Sequence, residues 1–109
     1  MYMLVGVSQQ TRRDIQILEQ RGAAADHPIA AAVVEAFGSS SGRAATVEGM
    51  TYGADMRLLV NVGQTPTVMF GPGDVRVAHR PDEFVPIDDL LTVTRTLALT
   101  ALRFCGYFE

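Results

Sequence analysis

From Ile87 to Cys105 the apolar residues recur at helical spacing, with Ile87, Leu90, Leu91, Leu97, Ala98, Ala101, Leu102 and Cys105 marking one broad face. This spacing predicts a helix over 87–105. Asp88 and Asp89 suit its N-terminal dipole, Arg103 suits its last turn, and Gly106 stops it. A second helix is expected to open at Asp26, with Pro28 in the first turn, and to run through Ile29, Val33 and Phe37 to Gly38. Ser8 can cap a polar helix from about Gln9 to Gln20, whose inward stripe is only Ile15 and Leu18, with Gly22 as a stop. A short helix starting near Ala54 turns Leu58, Leu59 and Val62 inward and ends at Gly63. Between these lie strand patterns. Ala44 to Glu48 alternates after a turn at Ser39–Gly42, and Pro66 to Phe70 is an apolar run bounded by Gly71 that reads as a buried strand of a mostly parallel sheet. Residues 2–7 are apolar, but periodicity does not separate a strand from a loose terminus there.

Alternating helices and strands from residue 27 onward indicate an α/β fold, a layered sandwich with a small, mostly parallel sheet flanked by helices. That sandwich reads as incomplete, because two clear strands cannot bury both faces of a parallel sheet and the stripes of three helices. Residues 1–22 form a poorly placed strand and helix segment, and 23–109 form the main unit.

Composition narrows the function classes. The 109 residues, 48% of them hydrophobic, suffice for one modest core. A net charge of −3 from 12 acidic and 9 basic residues, with no Lys or Arg run, argues against nucleic acid as a partner. No stretch approaches the 18 or so apolar residues of a membrane span. The single cysteine, Cys105, permits no internal disulfide and reads as a small buried hydrophobe. These features fit a soluble, cytoplasmic protein.

Candidate chemistry gathers after the 66–70 strand, where a long connection, GPGDVRVAHRPDE, runs from Gly71 to Glu83. Long loops in compact domains are uncommon unless functional, and ligands of open α/β sheets collect beyond strand ends. Gly71, Pro72 and Gly73 do not make a dinucleotide fingerprint, since the third glycine and a following helix are missing. They suit a sharp turn or a close backbone approach to a ligand. By spacing alone, a lone loop histidine such as His79 is more often a solvated or hydrogen-bonded residue than a metal ligand. His27, beside Pro28, reads as a surface residue. No paired-histidine or paired-cysteine metal motif occurs, and Ser39, Ser40 and Ser41 lack a nucleophile-elbow pattern.

The stretch from Gly49 to Ala98 resembles the C-terminal end of the metal-dependent deacylases that include acetylornithine deacetylase and succinyl-diaminopimelate desuccinylase. Three features carry the resemblance in order: Gly53-Ala54-Asp55 at a helix start, a Pro-Thr-Val strand leading to Gly71-Pro72-Gly73, and Ala78-His79 followed four residues later by Glu83. Asp26-His27-Pro28 also looks like the family's entry to the preceding helix, which extends the match to about residues 26–106.

The resemblance implies part of a zinc-peptidase-like catalytic domain, in which two zinc ions, or cobalt, share a bridging carboxylate and a nearby Glu activates the bridging water against an amide carbonyl. It implies that His79 is a metal ligand, that Tyr52, Asp55, Gly71, Pro72 and Gly73 line the site, and that Glu83 orients the His79 ring. The implied substrate is an N-acyl amino acid or a related amide. Other metal ligands and the base belong to an N-terminal half with no counterpart here. The expectation is therefore an enzyme part, inactive alone and binding no ion alone, that needs its missing half or associates as a homo-oligomer. A non-catalytic self-association module derived from such an enzyme is the alternative.

Overall fold

The computed structural model describes residues 2–4, 26–48 and 55–107. Helix α1 spans Pro28–Ser41. Its first-turn N–H groups are met by His27, whose Nδ1 accepts from the Ile29 amide at 3.1 Å. His27, not Asp26, is thus the cap, and Pro28 sits where a missing donor costs nothing. The helix does not stop at Gly38. It continues through Ser39, Ser40 and Ser41, whose hydroxyls donate to the carbonyls of Glu35, Ala36 and Phe37 one turn back. That back-bonding satisfies the hydroxyls within the helix, so the expected serine turn becomes a last helical turn. Gly42 ends it in the left-handed region at φ 67°, its N–H donating to the Gly38 carbonyl.

Three short strands make one sheet: β1 (Tyr2–Leu4), β2 (Val47–Glu48) and β3 (Met69–Gly71). β1 is central. It pairs parallel with β2, Met3 opposite Val47, and antiparallel with β3, Met3 opposite Phe70. The strand expected at 66–70 is therefore shifted towards Gly71 and runs against β1 instead of with it. Pro66 has no N–H for a ladder, and the hydroxyls of Thr65 and Thr67 turn to the carbonyls of Gly63 and Thr65, so this stretch is held by local bonds.

Between β2 and β3 lies α2 (Met56–Asn61). Only Met56 of its apolar residues is buried. Leu58, Leu59 and Val62, expected to face inward, are exposed. At ~100° per residue Leu58 and Val62 lie far around the helix axis from Met56, whereas Leu59, three residues on, shares its side and is still exposed. At Gly63 an added Cβ would lie 2.7 Å from the Leu59 carbonyl oxygen, which explains a glycine at the helix end.

Helix α3 (Ile87–Cys105) has the limits expected from its spacing. It packs on α1. The core between them is small-residue packing: Ala30, Val33, Ala36 and Phe37 of α1 meet a buried row of Val93, Thr96 and Thr100 on α3. Both threonines bury their hydroxyls cheaply, because Thr96 donates to the Thr92 carbonyl and Thr100 to the Thr96 carbonyl. Phe37 reaches on to the sheet, meeting Phe70 of β3 edge to face at 6.1 Å between ring centres.

The face of α3 expected to be buried is the exposed one. Ile87, Leu90, Leu91, Leu97 and Leu102 all lie open to solvent, and Cys105, expected to be buried, is exposed with them. At ~100° per residue this stripe lies roughly 140° around the helix from the buried row. Close approach to α1 selects small residues and leaves the leucines outside. The expected helix at 9–20, most of the strand beyond Leu4, and Tyr52 lie outside the described residues.

Candidate functional site

The connection between β3 and α3 carries the candidate residues, and successive tight turns hold it. Gly71 ends β3 and Pro72 follows it. Gly73 is buried at φ 84°, where L side chains are disfavoured, and an added Cβ would press on the Val85 side chain at 3.4 Å. Its N–H donates to Asp89 Oδ2 at 3.1 Å, tying the strand exit to the first turn of α3. Asp89 thus does more than complement the helix dipole. Sixteen residues separate donor from acceptor, so no local sequence pattern could have revealed this bond.

Asp74 then caps a single 3₁₀ turn, Val75–Val77, by accepting from the Arg76 amide at 2.8 Å. The same carboxylate receives the Arg76 guanidinium through Nε and Nη2, which places Arg76 in a local surface ion pair. Further turns follow: Ala78 N–H donates to the Val75 carbonyl, Arg80 N–H to Val77 and Glu83 N–H to Arg80.

At the centre of these turns His79 is exposed and takes φ 63°, the left-handed region. Adopting it costs a non-glycine residue on the order of 1–2 kcal/mol. Compensation comes from Glu83, whose Oε2 accepts the His79 backbone N–H at 2.9 Å. Glu83 therefore holds the His79 backbone, through a bond that the expectation of a partner for the ring did not include.

Asp55 is exposed at the N-terminus of α2; its carbonyl accepts from the Leu58 amide at 2.8 Å, while its carboxylate makes no capping bond. The structure thus joins Gly73, Asp89, His79 and Glu83 into one braced loop, and shows no bond from Asp55 to it.

Among the described residues no three His, Cys, Asp or Glu side chains gather closely enough to hold a metal ion. By themselves these residues do not fit a two-ion centre, which needs three or more protein ligands around each ion. Also among them, no helix is long and apolar enough to cross a membrane.

Comparison with known proteins matches residues 12–103 to the model of peptidase family M20/M25/M40. An acetylornithine deacetylase from Myxococcus xanthus is 38% identical over 76 residues, which cover 70% of this chain and 19% of that enzyme. The chain thus matches less than a fifth of that relative's length. The matched span includes α1, the sheet strands β2 and β3, the braced His79 loop and nearly all of α3. With the family model covering most of its length, this chain belongs to peptidase family M20/M25/M40.

Proposed function

We propose that this chain contributes the His79 loop to the active site of a metal-dependent hydrolase that cleaves the amide bond of an N-acyl amino acid or a related compound. Family membership supports the hydrolase class, and the likeness to an acetylornithine deacetylase from Myxococcus xanthus supports deacetylation. The observation that carries the reading is the conformation of His79. An exposed histidine held in a strained backbone state by a carboxylate four residues on is a feature that a plain surface loop has no reason to keep.

In this reading His79 offers a ring nitrogen to zinc, or to cobalt, while Glu83 fixes the backbone that aims it. The chemistry such an ion would supply when bound is an activated water and a polarised amide carbonyl. Gly71, Pro72 and Gly73 form the wall beside the substrate, with Gly73 set by Asp89, and Tyr52 and Asp55 line the floor. The layered α/β sandwich and the partner half of the site are part of the same proposal. With one histidine in the loop, the chain alone is inactive and binds metal weakly.

Zinc titration followed by NMR of the two histidine rings tests this, together with hydrolysis of N-acetylornithine. The expected result is a weak perturbation centred on His79, abolished in His79→Ala, with His27 unmoved because its Nδ1 is already engaged as a cap. No turnover is expected. Stoichiometric zinc with turnover would refute inactivity of the chain, and a zinc response at His27 alone would remove His79 from the site.

A further inference from the structure

His79 occupies a turn position that ordinarily belongs to glycine. Arg80 N–H donates to the Val77 carbonyl at 3.2 Å, and between them Ala78 stands at φ −58°, ψ 138° and His79 at φ 63°. These angles make Val77–Arg80 a type II turn, whose third residue takes positive φ and is by preference glycine or asparagine. With Ala-His at its centre, the same turn favours type I, in which both central residues have negative φ. The two types share the closing bond and differ by rotation of the central peptide through about 180°.

Here that peptide is Ala78–His79. The neighbouring backbone bonds of the loop, Val77 N–H to the Asp74 carbonyl, Ala78 N–H to Val75 and Glu83 N–H to Arg80, use neither the Ala78 carbonyl nor the His79 N–H. They survive the rotation. What it breaks is the bond from His79 N–H to Glu83 Oε2 at 2.9 Å, since the N–H would then point to the other side of the turn. This contact is exposed, and left-handed backbone costs a histidine about as much as such a bond returns. The two turn types therefore lie close in free energy, and Glu83 tips the balance.

We propose that Glu83 is a positioning residue that selects the type II turn and so sets the aim of His79. Without its carboxylate the Ala78–His79 peptide rotates, the turn becomes type I and His79 moves from φ 63° to about −90°. Rotating a peptide leaves the Cα atoms nearly in place, so the His79 Cα–Cβ bond tilts by roughly 30° and the ring nitrogens move on the order of 1–2 Å. That exceeds the ~0.5 Å within which a working side chain has to be held. The role rests on His79 being the working residue of this loop, whereas the turn type itself is set without metal.

NMR of the full chain in metal-free buffer tests the selection through two NOEs between neighbours. A type II turn brings Ala78 Hα close to the His79 N–H proton, and a type I turn brings the two N–H protons together. The unaltered chain should show the first. In Glu83→Ala the ratio of the first to the second should fall at least ~10-fold, with the far-UV circular dichroism unchanged. Glu83→Gln, which keeps an acceptor oxygen, should retain the type II pattern. Adding His79→Gly to Glu83→Ala should restore it, because glycine carries positive φ without strain. A type II pattern that persists in Glu83→Ala overturns the proposal, as does loss of both NOEs, which would mean an opened loop. A double variant that stays in type I overturns the strain of His79 as the driving term. Because no metal is present, none of these outcomes depends on the zinc titration, whose failure at His79 would instead remove the working residue that the turn is said to aim.

Discussion

Phe37 joins the two halves of the described core, and its removal should be the most damaging single truncation in α1. The side chain is 4% exposed, lies edge to face with Phe70 at an interplanar angle of 72°, and has the Arg43 guanidinium 5.7 Å from its ring centre. Truncation of a buried Phe to Ala costs about 3–5 kcal/mol through lost transfer energy and the cavity left behind. The aromatic pair adds ~0.5–1.5 kcal/mol beyond area. Arg43 is exposed, so its cation–π contact adds little. Phe37→Ala should therefore cost about 4 kcal/mol, a large part of the ~5–15 kcal/mol that holds a domain together. For a chain of this size the melting temperature should fall by roughly 15–25 °C. Urea unfolding at low micromolar concentration, followed by circular dichroism, measures the cost. A cycle of Phe37→Leu and Phe70→Leu isolates the ring pair and should show a coupling of ~0.5–1.5 kcal/mol. A loss below about 1.5 kcal/mol for the alanine variant, or zero coupling in the cycle, would show that the α1 to β3 junction is not held as described.

Loop bracing and capping yield further expectations. Gly73→Ala should destabilise by about 1–2 kcal/mol, because a left-handed backbone must then carry a Cβ that presses on Val85; unfolding by urea reads this directly. Glu83→Ala should speed exchange of the His79 amide by at least ~10-fold in NMR, while Glu83→Gln, which keeps an acceptor oxygen, should largely preserve protection. Asp89→Ala should do the same to the Gly73 amide, and unchanged exchange would mean the strand exit is held by something else. His27→Ala should cost about 1 kcal/mol of stability, and His27→Asn, a good capping residue, should restore most of it.

What could be read along the chain was what local physics decides. The ends of α3 follow from helical spacing, two acidic residues at its start and Gly106 after it. Pro28 marks the start of α1, but its expected stop at Gly38 is overrun, because the hydroxyls of the three serines that read as a turn bond back along the helix as far as Ser41. The left-handed position at Gly73 suits a glycine, but nothing in the spelling of Ala78-His79-Arg80 announces a left-handed histidine. That conformation depends on Glu83 reaching back four residues.

The sequence by itself determined the limits of α3, the presence of α1 and α2 and the loop after β3. Tertiary structure alone decided which face of α3 is buried. Periodicity identifies an apolar stripe, but burial depends on what packs there, and the close approach of α1 is made by Val93, Thr96 and Thr100. It also decided that β3 runs against β1, and that Asp89 anchors the strand exit from sixteen residues away. Strand direction and long-range hydrogen bonds are pairwise properties of segments distant in the chain, and no window of residues contains both partners.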